Sequence, residues 1–115
     1  MGNVKIEKLK AWGADTEMAL NRFMEDEDLY VECLDMIVGD KHFDALADAM
    51  ANKRYKEAFE HAHCLKGVAG NLGLTPHFDA MCEVVEPLRK DRYDNIDEKY
   101  KAMLEKYEEY LQLMK

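Results

Sequence analysis

Two histidines, a cysteine and a lysine fall within six residues of one another in "HAHCLKGVAGNLGLTPH", residues 61–77. Three chemistries are open to such a set: metal ligation, thiol redox chemistry and attack by an imidazole nitrogen. Spacing separates them. If the segment is helical, at about 100° per residue, His61 and His63 point to nearly opposite sides and cannot share a metal. His61 with Cys64 supplies only two ligands, too few for a site. With His63 as origin, Leu65, Val68, Ala69, Leu72, Ala58 and Ala62 cluster on the far side, the expected core face. His63 then faces solvent.

The glycines sharpen this reading. Gly67 and Gly70 fall on the His63 side, one and two turns on. Each costs about 1 kcal/mol of helix stability against alanine. Helical side chains lean back over the preceding turn, so a side chain at 67 would lie across the imidazole. Glycine on that face leaves the ring accessible to a bulky partner. Gly73 has the separate task of ending the helix. Lys66, about 60° round, brings a flexible ammonium to the same region. An exposed imidazole, cleared on one side and flanked by an ammonium, suits a nitrogen nucleophile that receives and returns a phosphoryl group. The ammonium offsets the added negative charge.

The other candidates have plainer readings. His61, about 160° from His63, faces the core side and is read as structural, with a polar partner there. His42 and His77 read as ordinary surface or helix-start residues. Phe59 lies on the His63 side, about 40° away. It either packs under the first helices or forms part of an apolar docking patch, while Lys56 reads as a solvated charge.

The elements that must position these groups read as helices. The chain has 115 residues, 48% hydrophobic and 35% charged, with only two prolines. That is one domain by length, expected over 1–115, with an ordinary core and a strong helical prior. A net charge of −8 argues against nucleic acid and anionic membrane as general partners. No apolar run approaches 18 residues and no signal-peptide pattern opens the chain. Three cysteines, an odd count without CxxC spacing, read as reduced thiols of a cytoplasmic protein.

Along the chain, "VKIEKLKAW" carries Ile6, Leu9 and Trp12 as a short helix or turn ended by Gly13. Asp15 caps "TEMALNRF", with Met18, Leu20 and Phe23 apolar. The acidic run 25–28 reads as a helix start, favoured by the dipole. Leu29, Cys33, Met36 and Ile37 follow in helical register until Gly39. A helix over about 41–52 carries Phe43, Leu46, Ala49 and Met50. The motif helix spans about 55–72. Thr75 is then the expected N-cap with Pro76 at the first helical position. That helix carries Phe78, Met81, Val85 and Leu88, and Pro87 predicts a kink or an early end. In the last helix Ile96, Tyr100, Met103, Leu104, Tyr107, Leu111 and Met114 form one stripe, with Asn95 and Glu98 as a capping pair. The expected fold is all-α, an antiparallel four-helix bundle with additional short N-terminal helices.

"AHCLKGVAGNLGL" resembles the signature of histidine phosphotransfer (HPt) domains. "GADTEMALNRFMEDEDLYVECL" is similar to the family's opening helices, and the resemblance covers roughly 12–114. It implies that His63 is the phospho-acceptor and that Lys66 and Gly67 are the family's lysine and glycine. Gly70, Asn71 and Gly73 match more loosely; Gly70 and Asn71, with Phe59, are expected on the docking surface. The family relays phosphoryl groups between receiver-domain aspartates. It neither binds ATP nor needs a cofactor of its own; magnesium belongs to the partner receiver. His61, Cys64 and Pro87 depart from the usual pattern, and Cys64 could make the site sensitive to oxidation. The expectation is a monomeric cytoplasmic phosphocarrier, not a kinase, whose partners are response-regulator receiver domains, with a hybrid histidine kinase as a further candidate. The alternatives are a helical scaffold that binds receivers without phosphotransfer and, more distantly, a thiol redox switch at Cys64.

Overall fold

Aspartate side chains start three of the helices, and glycines at positive φ follow three. The computed structural model describes residues 4–115, so the first three residues of the expected 1–115 unit lie outside the described residues. Seven helices follow in order among the described residues: α1 Val4–Trp12, α2 Thr16–Arg22, α3 Glu27–Ile37, α4 Lys41–Ala51, α5 Tyr55–Asn71, α6 Thr75–Arg89 and α7 Ile96–Leu113. None is long and apolar enough to cross a membrane. Asp15, Asp26 and Asp40 accept hydrogen bonds from the backbone N–H of Met18, Leu29 and His42, satisfying donors that a helix start leaves open.

Helices α4 to α7 are joined by connections of a few residues, which makes sequential neighbours antiparallel. Together they form the expected four-helix bundle, with Leu46, Ala58, Ala62, Leu65, Met81, Val84 and Met103 buried between them. The short helices are tied to it by polar bonds. Tyr30 of α3 donates its hydroxyl to the Leu72 carbonyl at 2.7 Å. Tyr110 of α7 donates to the Leu34 carbonyl. Trp12 of α1 donates to Glu109 at 2.9 Å. Gly73, at φ +71, lies so close to the α1–α2 loop that a Cβ would sit 2.3 Å from the Asp15 carbonyl oxygen. The Asp15 N–H donates to the Gly73 carbonyl at 2.7 Å. Gly73 therefore both ends α5 and locks the α5–α6 turn against the first helices.

Several local expectations are corrected. The buried face of α3 is Tyr30, Leu34 and Ile37; Leu29 and Met36 are exposed. Both sets have helical spacing, and the phenol wins a core position because its hydroxyl finds a carbonyl. The same holds in α7, where Tyr110 is fully buried and Leu104 is exposed. Leu74, not Thr75, occupies the cap position of α6, and Thr75 is its first residue. Its hydroxyl instead turns back to the Gly73 carbonyl at 3.4 Å. Asn95 precedes α7 in the left-handed region, with no side-chain capping bond. Helix α6 runs through Pro87 and ends two residues later at Arg89. His77 is neither a surface nor a simple helix-start residue. It is 2% exposed, with its ring 5.8 Å from those of Phe43 and Tyr107.

Candidate functional site

Helix α5 buries Ala58, Ala62, Leu65 and Ala69, and His63 is exposed. At about 100° per residue the buried arc centres near 230° from His63. Val68 and His61 sit at its edge. Val68 is accordingly exposed, at 37%, where the apolar count placed it in the core. His61 is half-buried against the ring of His42, 5.6 Å away. The His42 Nδ1 in turn lies 2.9 Å from an Asp40 carboxylate oxygen.

Around His63 the helix spacing assembles one patch. Phe59, one turn before, stacks on the imidazole at 5.6 Å between centroids and 18° between planes. Arg89 of α6 lies over the Phe59 ring at 5.3 Å. This fixes one side of the imidazole with an aromatic neighbour. On the other side runs an open groove of about 380 Å³, lined by His63, Lys66, Gly67, Gly70, Asn71, Phe78 and Arg22.

The two glycines on this face have different reasons. A Cβ at Gly67 would meet nothing within 4 Å, so no packing within the chain demands glycine there. The space it leaves is open to solvent beside His63. A Cβ at Gly70 would lie 3.0 Å from Cε1 of Phe78, so Gly70 is where the Phe78 ring of α6 crosses α5. The expectation that both glycines clear the imidazole is corrected for Gly70: its nearest obligation is to a neighbouring helix.

Lys66 is half-buried and turned toward α6, with Nζ 3.9 Å from a Glu86 oxygen and 6.0 Å from the Phe78 centroid. The carboxylate holds it loosely, and it lines the same groove as His63. Asn71, at the C-terminal end of α5, accepts a 3.0 Å hydrogen bond from the guanidinium of Arg22. Sequence reasoning missed Arg22. It lies 49 residues from Asn71, and only the folding of α2 across the end of α5 brings it here.

Cys64 is exposed, and Cys33, Cys64 and Cys82 are all free thiols. Among the described residues no three His, Cys, Asp or Glu side chains converge as a metal would need. His77 stands apart from the site. Its Nδ1 has no hydrogen-bond partner among the described residues, and burial lowers its pKa to about 4.

The arrangement offers an accessible imidazole, an ammonium in the same groove, a second cation at the groove's far end and room above Gly67 for another molecule. The imidazole and the ammonium can together accept a small anionic group on a ring nitrogen and neutralise it. Compared with known proteins, the Hpt domain family model matches residues 39–112. No curated protein and no solved structure matches the chain. The matched segment runs from the turn before α4 into α7. It contains Phe59, His63, Lys66, Gly67, Gly70 and Asn71 and leaves Arg22 outside.

Proposed function

Because the chain belongs to the Hpt domain family, and so has a phosphotransfer role in two-component signalling, we propose that it relays a phosphoryl group between receiver-domain aspartates through His63. The observation that carries this reading is the exposed His63 ring beside the open space at Gly67, with Lys66 in the same groove.

The step is an in-line displacement. The Nε2 lone pair of His63 attacks the phosphorus of a receiver aspartyl phosphate. A nitrogen–phosphorus bond forms as the acyl oxygen–phosphorus bond breaks, and the aspartate leaves as a carboxylate. In the reverse step a receiver aspartate attacks and the imidazole leaves. Phe59 stacks on the ring and limits its rotation. Positioning of this kind lowers the barrier by removing orientational freedom before the reaction. Lys66 swings from its loose contact with Glu86 to the phosphoryl oxygens, where a charge-assisted hydrogen bond stabilises the transferred group. The receiver brings the acidic pocket and the magnesium; this chain brings the nucleophile, the ammonium and the docking surface. It acts as a carrier in the cytoplasm, a location consistent with its three free thiols.

Incubation with phosphorylated receiver domains is the test. Transfer yields an acid-labile, base-stable phosphoprotein. Binding without label would mean a scaffold, and label that survives acid would place the phosphoryl group on another residue type.

A further inference from the structure

The groove beside His63 ends at a cation that the family match does not include. Arg22 is the last residue of α2, and the matched segment starts at residue 39. Its guanidinium has a neutral partner, the Asn71 amide oxygen at 3.0 Å, and no carboxylate among the described residues pairs with it. The amide oxygen uses one of the five donors of the guanidinium. The remainder keep the planar fork that suits a carboxylate.

The surroundings make this unusual for the chain. Acidic residues outnumber basic ones by 24 to 16. Yet the groove lining contains two cations, Arg22 and Lys66, and no Asp or Glu. Between them the surface is glycine backbone and the Phe78 ring. An occupant must therefore present apolar surface over the glycines and negative charge at the end of the groove. Asn71 lies eight residues after His63, which is about 12 Å along the helix axis.

We infer that Arg22, oriented by Asn71, is a docking residue that selects among receiver domains by pairing with a carboxylate on the receiver surface, at the far end of the groove from the phosphorylated aspartate. This rests on the phosphotransfer reading. To the chemical step this chain brings His63, with Phe59 against its ring, and Lys66. Arg22 acts on encounter and residence, and it lies outside the matched segment.

The experiment measures transfer from a panel of acetyl-phosphate-charged receiver domains of the source organism, across receiver concentration. For the receiver that transfers best, Arg22→Ala should raise KM about 10-fold while the maximal transfer rate changes less than twofold. Raising salt should weaken wild-type docking more steeply than docking of the variant. Asn71→Asp supplies a second arm. It gives Arg22 an internal carboxylate, so the tie between α2 and α5 is kept or strengthened while the cation is neutralised. KM should rise with the melting temperature maintained. If Arg22 merely pins α2, Asn71→Asp will leave KM unchanged and Arg22→Ala will lower the melting temperature alone; that result overturns the inference. A wild-type KM in Arg22→Ala overturns it too, with the phosphotransfer reading intact. If no receiver transfers to wild type, the phosphotransfer reading falls and this inference falls with it.

Discussion

Acidification should destabilise this protein through His77, and a single substitution should remove that contribution. The ring is 2% exposed, its Nδ1 has no partner among the described residues, and Phe43 and Tyr107 flank it. Burial lowers its pKa from 6.5 to about 4. The unfolded chain therefore binds a proton that the folded chain refuses between about pH 6.5 and 4. Stability is full above that window, falls as pH drops through it and levels off below. A difference of roughly 2.5 units at 1.36 kcal/mol each gives about 3 kcal/mol, a sizeable share of a small domain's stability. The assay is urea unfolding followed by far-UV circular dichroism, stepped from pH 7 to pH 4, for wild type and His77→Leu. Carboxylates titrate in both proteins and cancel in the difference. Wild type should lose about 3 kcal/mol relative to the variant across the window. Parallel stability curves, or a folded-state His77 that titrates near 6.5 by NMR, would refute the argument.

Four further outcomes concern the site. Gly67→Ala should raise stability by up to about 1 kcal/mol, since its Cβ meets nothing within 4 Å. Gly67→Gln should keep the fold yet slow transfer, because its side chain leans back over His63; transfer at wild-type speed would mean the ring is approached from another side. Gly70→Ala should instead lower thermal stability, by about 1 kcal/mol net, because its Cβ would sit 3.0 Å from the Phe78 ring; a melting temperature above wild type would show that the ring yields without loss. Lys66→Ala should slow transfer roughly 10-fold while docking weakens less. Equal transfer rates across pH 6 to 8 would reduce the lysine to a surface charge.

What could be read from the sequence follows the range of the interactions. His63, Lys66 and Gly67 lie within two turns of one helix, so their relative placement follows from helix geometry alone. The bundle and its four long helices were likewise legible from glycines and apolar spacing, whereas the caps expected at Thr75 and Asn95 make no capping bond. The face of α3 was not, because Leu29/Met36 and Tyr30/Leu34/Ile37 are both helical sets. Only a carbonyl waiting at Leu72 lets Tyr30 enter the core. Gly70 looked like Gly67 in sequence, and only the crossing of α6 separates their reasons. His77 and Arg22 depend wholly on distant partners. One is enclosed by Phe43 and Tyr107, the other is set against Asn71. No local pattern marks either.

The identity of the phospho-acceptor tests the central claim most directly. Wild type, His63→Gln and His61→Gln would each be incubated with the same phosphorylated receiver, and base-stable label would be quantified beside thermal unfolding. Wild type and His61→Gln should take up label. His63→Gln should take up none while melting near the wild-type temperature, because its side chain is exposed and leaves the core untouched. Label that persists in His63→Gln, or that disappears in a folded His61→Gln, would contradict the assignment of His63 as the nucleophile.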